Sequence, residues 1–134
     1  MIKRIFSCLY FLVLSLNNSF FKYKIKTQFS FNSFVISVGN LSLGGAGKTP
    51  MVIYLSNLLS RANLKHSVIS RGYKRKSRGC ILVSNQNELL TSIKAAGDEP
   101  FLLANNLPGI PVVVGNKKKA LNLSYNTFGN QISI

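Results

Sequence analysis

The sequence predicts an α/β fold, a parallel sheet flanked by helices, and three observations lead there. Short β-branched or apolar runs at Phe34–Val38, Ser67–Ser70, Cys80–Val83 and Pro111–Gly115 alternate with stretches of helical periodicity, the order that parallel α/β architecture requires. A glycine-rich turn joins the first of these runs to the first helix. With 134 residues, 46% of them hydrophobic, the chain can build one core and is too apolar for a disordered basic tail.

Charge bounds the function. Seventeen basic and 3 acidic residues give a formal net charge of +14, which points to an anionic partner: nucleotide, nucleic acid or anionic lipid. Glu88, Asp98 and Glu99 are the whole acid inventory, so two-carboxylate glycosidases, EF-hands and di-metal clusters are excluded. Cys8 and Cys80 are far apart and His66 is the lone histidine, which argues against a disulfide framework, a structural zinc and a Ser-His-Asp triad.

Residues 1–30 form a segment of their own. Its apolar stretch Ile5–Leu16 is 12 residues long. As a helix it rises about 18 Å, short of the roughly 30 Å hydrocarbon core. Lys3 and Arg4 precede it, and Lys22, Lys24 and Lys26 follow. Cations on both sides favour a helix lying on the membrane surface, held by apolar burial and by attraction to anionic lipid. A buried core helix and a cleaved signal or short span are the other readings. Residues 31–134 are then the α/β domain proper.

Its first run, Phe34–Val38, reads as a buried strand. Gly39 to Pro50 follow as GNLSLGGAGKTP, and then Met51, Val52, Leu55, Leu58 and Leu59 recur at helical spacing. Strand, glycine loop and helix are the context of a P-loop. Gly44, Gly45 and Gly47 let the backbone approach a polyphosphate, and their amides together with the helix N-terminus make an anion-binding nest. Residues Ser42, Leu43, Gly44, Gly45, Ala46, Gly47, Lys48 and Thr49 are therefore expected to bind ATP. Lys48 reaches the β- and γ-phosphates, and the Thr49 hydroxyl binds Mg²⁺. Pro50 suits the first helical turn. The strict pattern has Gly where Ser42 stands, and an ordinary glycine turn before a helix is the plainer alternative.

Beyond the second strand, Arg71 to Gly79 (RGYKRKSRG) is strongly basic. Loops after strand C-termini line the ligand crevice of a parallel sheet, so this loop is expected on the same edge as the phosphate loop, facing phosphates or membrane, or else as a solvated basic loop. Glu88–Ala96 reads as a helix closed by Gly97 as C-cap. Asp98-Glu99-Pro100 opens the next helix, with Asp98 as its N-cap or, alternatively, as a general base or Mg²⁺ contact. Asn116–Leu123 reads as a helix whose Lys117-Lys118-Lys119 start is exposed. Asn126–Ile134 shows no clear element.

VGNLSLGGAGKTP (Val38–Pro50), VISRGY (Val68–Tyr73), GDEP followed by LL (Gly97–Leu103) and PVVVG (Pro111–Gly115) together resemble the tetraacyldisaccharide 4′-kinase family of lipid A biosynthesis, in order and spacing across residues 34–119. The resemblance implies a P-loop fold acting peripherally at the cytoplasmic face of the bacterial inner membrane. The implied reaction transfers the γ-phosphate of ATP to the 4′-hydroxyl of an anionic tetraacyldisaccharide 1-phosphate, giving lipid IVA. It also implies Asp98 as catalytic acid/base, Arg71 beside the anionic lipid A precursor, and no nucleic-acid partner. Two departures stand out. Lys74 follows RGY where the family has Gly soon after, and no acid follows Glu99, whereas the family continues through a second acidic motif and a later His. The 134-residue chain is accordingly expected to have negligible kinase activity alone. A non-catalytic nucleotide- or membrane-binding remnant and a basic RNA-binding module are the competing readings.

Overall fold

The computed structural model describes residues 2–23, 29–40 and 47–134. It divides into two compact units, Met1–Phe31 and Asn32–Ile134. The first unit is built on helix α1, Ile2–Lys22, longer than the apolar stretch that nucleates it. Along α1 the large apolar side chains Tyr10, Phe11, Leu12, Val13, Leu16 and Phe20 are exposed. Among the described residues no helix is long and apolar enough to cross a membrane.

The second unit is a sheet with helices against it. Its elements run β1 (Phe34–Val35), α2 (Lys48–Arg61), β2 (His66–Ser70), β3 (Ile81–Ser84), α3 (Ile93–Ala96), α4 (Asp98–Asn106), β4 (Val112–Val114), α5 (Lys117–Phe128) and β5 (Ile132–Ser133). The strand order is β1-β5-β2-β4-β3. Pairs β1–β5, β5–β2 and β2–β4 are parallel, and β3 runs antiparallel to β4. The sheet is thus mixed rather than wholly parallel. The basic loop turns the chain back at the edge where β2 ends, so β3 starts there and runs the other way.

Strand β4 shows why the sheet needs two covered faces. Val112, Val113 and Val114 are all buried. Side chains alternate along a strand, so Val112 and Val114 join Val68, Val83, Leu103, Ala104 and Leu107 in the main core, flanked by Val52 and Ile53 of α2. Val113 faces away from that cluster. Buried Ala120 and Leu121 belong to α5, which packs on β2 and β4. This near-continuous apolar strand is the signature of a doubly covered sheet.

Several boundaries differ from the sequence reading. The first strand covers Phe34–Val35 and is exposed, because among the described residues β1 is an edge strand paired only with β5. The helix expected over Glu88–Ala96 shrinks to α3. The Asn85 Oδ1 accepts the amides of Asn87 and Glu88 at 2.7 Å, and this local turn folds Leu89 back into a bridge with Ser84. Gly97 does close α3, as expected. The tail is ordered into the end of α5, a Gly129 C-cap at φ 61° and strand β5. Polar side chains position β5 in the sheet. Ser133 Oγ lies 3.1 Å from Ser67 Oγ, Ser124 donates to Ser67 at 2.7 Å, and Asn130 Nδ2 donates to Ser124 at 3.4 Å, all buried.

Candidate functional site

Parallel strands bring their C-terminal ends to one edge. Here that edge gathers the end of β1, the loop after β2, the start of β3 and the loop after β4. Of the expected phosphate loop, Ser42, Leu43, Gly44, Gly45 and Ala46 lie outside the described residues. Gly47, Lys48 and Thr49 lie within them. Gly47 is the N-cap of α2 at φ 72°, a left-handed conformation. A Cβ there would meet nothing within 4 Å, so backbone conformation and not crowding calls for glycine. Lys48, Thr49 and Pro50 form the first turn of α2.

Each of the two polar residues at that turn has a partner. With its amide oxygen turned toward the ammonium, Asn40 accepts from Lys48 Nζ at 3.2 Å and donates to Gly39 O at 3.2 Å. The Thr49 hydroxyl donates to Glu99 Oε1 at 2.8 Å. That bond leaves lone pairs on both oxygens, a hard-oxygen pair suited to Mg²⁺, which keeps several waters and phosphate oxygens among its ligands. Among the described residues no group of three His, Cys, Asp or Glu is placed to hold a metal.

The described parts of the four segments carrying the resemblance meet here. At Gly72 (φ 67°) a Cβ would collide with the Val114 side chain and come within 2.9 Å of Ala96 O. At Gly97 (φ 91°) it would lie 3.2 Å from Tyr73 O and 3.6 Å from Gly72 Cα. So the RGY turn seats directly on the GDEP turn because neither has a side chain at the contact. Arg75 then latches the loop, donating to Ser77 Oγ at 2.8 Å and to Gly79 O, while Ser77 donates to Ala95 O at 2.6 Å. Arg71 stays exposed where β2 ends.

Asp98 sits in the first turn of α4, exposed. It is not the N-cap: Gly97 holds that position, and no side chain caps the helix. Asp98 is therefore free of the capping role that the sequence suggested. Asn40 and Glu99 are the residues that sequence reasoning missed. Glu99 was visible as the neighbour of Asp98, but adjacent helical residues point about 100° apart, and only packing decides which one faces α2.

A strand, a turn through left-handed glycine and a helix opening on Lys-Thr define a P-loop-type α/β domain. The family model described as tetraacyldisaccharide-1-P 4′-kinase, LpxK, matches residues 1–131, and the chain belongs to that family. It is 43% identical over 116 residues to the tetraacyldisaccharide 4′-kinase of Chlorobium chlorochromatii, covering 87% of this chain and 31% of that one. It is 50% identical over 84 residues to the enzyme of Aquifex aeolicus, 63% of this chain and 26% of that one. The crystal structure of LpxK from Aquifex aeolicus in complex with ATP superposes with a TM-score of 0.84 at 38% identity, over 96% of this chain and 41% of that one. The chain thus spans about a third of the length of the curated relatives it matches.

Proposed function

We propose that this chain supplies the ATP-binding part of a tetraacyldisaccharide 4′-kinase, which moves the γ-phosphate of ATP to the 4′-hydroxyl of a tetraacyldisaccharide 1-phosphate. The observation that carries this reading is the pairing of two motifs distant in sequence: Thr49, at the phosphate-loop helix, bonds Glu99 of GDEP at 2.8 Å. Residues 42–49 bind the triphosphate. Lys48, held by Asn40, contacts the phosphates. Thr49 and Glu99 would hold Mg²⁺, which neutralises charge on the transferring group when bound.

Asp98, exposed beside Glu99, accepts the proton of the attacking sugar hydroxyl. Arg71 lies beside the anionic lipid A precursor. Phosphoryl transfer asks little more of a protein than positioning and charge neutralisation. The acceptor carries acyl chains, so the enzyme works peripherally at the cytoplasmic face of the inner membrane, with α1 lying in the interface by its exposed Phe11, Leu12 and Leu16.

Equilibrium titration of ATP with and without Mg²⁺ tests the site. Thr49→Val should weaken Mg·ATP binding about tenfold and leave metal-free ATP within about twofold. Equal loss in both titrations, or none in either, would contradict the assignment.

A further inference from the structure

One side chain ties the loop after β2 to its surroundings. Arg75 is half-buried, while Lys74, Lys76 and Arg78 beside it are exposed. Its stem lies across the seam between the RGY and GDEP turns. A Cβ on Gly72 would stand 2.6 Å from Arg75 Cδ, and one on Gly97 would stand 3.6 Å from Arg75 Cβ. The guanidinium donates from Nη1 to Ser77 Oγ at 2.8 Å and from Nη2 to Gly79 O. Ser77 carries the connection onward to Ala95 O at 2.6 Å, next to the Lys76 amide, which bonds Lys94 O at 3.0 Å. Residues 72–79 are thereby fixed to α3 and to Gly97, where α4 begins.

Hydrogen bonds rather than apolar burial set the loop's path, since Tyr73 is 82% exposed. That path is imposed rather than relaxed. Lys74 holds φ 58°, a conformation that glycine takes freely and an L-residue takes at a cost. Such a residue persists where its surroundings over-determine it, and strain of this kind concentrates at ligand sites. Asn63, the other non-glycine residue with positive φ, simply closes α2, its amide bonding Ser60 O at 3.0 Å. The planar fork of an arginine suits two acceptors at once, whereas a lysine offers a point charge.

We propose that Arg75 is a positioning residue for the kinase site: by clamping the loop after β2 onto the turn before α4, it fixes Asp98 and Glu99 relative to Arg71. The assignment rests on the kinase reading for the roles of those three residues. Their placement is the reason for a clamp. Arg71 follows the end of β2, and Asp98 and Glu99 open α4, a separate element. Groups that must hold a metal ion and an acceptor keep their geometry only when neighbouring residues lock them in place. The contact of Gly72 with Gly97 brings the two segments together, and the fork of Arg75 sets how they sit.

Arg75→Lys in the full chain tests this, because it keeps the stem and the charge and removes the fork. Hydrogen exchange followed by NMR without nucleotide reads the clamp. The amides of Lys76 and Gly97, which bond Lys94 O and Ile93 O, should exchange about tenfold faster or more in the variant. The amide of Val68, which bonds Pro111 O in the sheet, should be unchanged. Unchanged exchange at Gly97 overturns the proposal. So does equal acceleration at Val68, which makes Arg75 a general prop of the fold. Titration of ATP then reads the site. Arg75→Lys should weaken Mg·ATP about tenfold and metal-free ATP by less than about twofold. In a Glu99→Gln background it should have no added effect on Mg·ATP, since both changes act through one carboxylate. Unchanged Mg·ATP affinity in Arg75→Lys, or additive losses in the double variant, overturns the proposal. An absence of ATP binding in the parent counts against the kinase reading alone, and the exchange result still decides whether Arg75 joins the two turns.

Discussion

At the residue scale, the site is organised by absent side chains as much as by present ones. Gly72 lies at φ 67° with its Cα 3.6 Å from where a Cβ on Gly97 would stand, and the two turns they occupy join the loop after β2 to the start of α4. A methyl at Gly72 would meet Val114, Arg75 and Ala96 O together. Gly72→Ala combines a left-handed penalty with overpacking and should cost about 2–4 kcal/mol, read as a melting temperature lower by roughly 10 °C or more. A shift within about 2 °C would mean that the turns are not seated as described. Glu99, which accepts the Thr49 hydroxyl, follows Gly97 by two residues in the first turn of α4.

At the element scale, strand β5 depends on polar packing. Buried Ser124 donates to Ser67 and accepts from Asn130, while Ser67 meets Ser133 of β5. Ser124→Ala takes the acceptor from the buried Asn130 amide and one of two hydroxyl partners from Ser67, and should destabilise by about 1–3 kcal/mol in a urea melt. An unchanged midpoint would show that this network does not secure β5. This element also shows where the sequence stops being legible. Val112–Val114 announced itself by β-branched composition, the Phe34–Val38 run only in part, since the strand is the exposed Phe34–Val35, and the start of α2 by its helix-compatible Pro50. β5 is only Ile132–Ser133, too short for any periodicity, and its central place is set by serines that read as surface residues. Glu88–Leu90 carried a helical pattern that lost to the Asn85 turn. The site divides in the same way. Lys48 and Thr49 of the proposed site are read from the motif and Asp98 from the resemblance, but the Asn40–Lys48 and Thr49–Glu99 pairings depend on packing between segments that the sequence does not relate.

At the scale of the whole molecule, the sheet formed by the described residues is closed at neither edge. Among the described residues β1 pairs only with β5, and Phe34 is 78% exposed upon it. Open apolar edges recruit further strands. The isolated chain should therefore self-associate with rising concentration in sedimentation velocity, and Phe34→Lys should suppress this; equal association by the variant would place the contact elsewhere. The charge of +14 acts in the opposite sense and should make association stronger as salt screens it. The polyanion that such a chain accepts is, on the present account, the triphosphate gripped at the start of α2. Calorimetric titration of Mg·ATP into the parent chain and into Lys48→Ala tests that most directly. The account expects saturable one-site binding that weakens on the order of 10–100-fold in the variant. Equal affinity for the two proteins would contradict it.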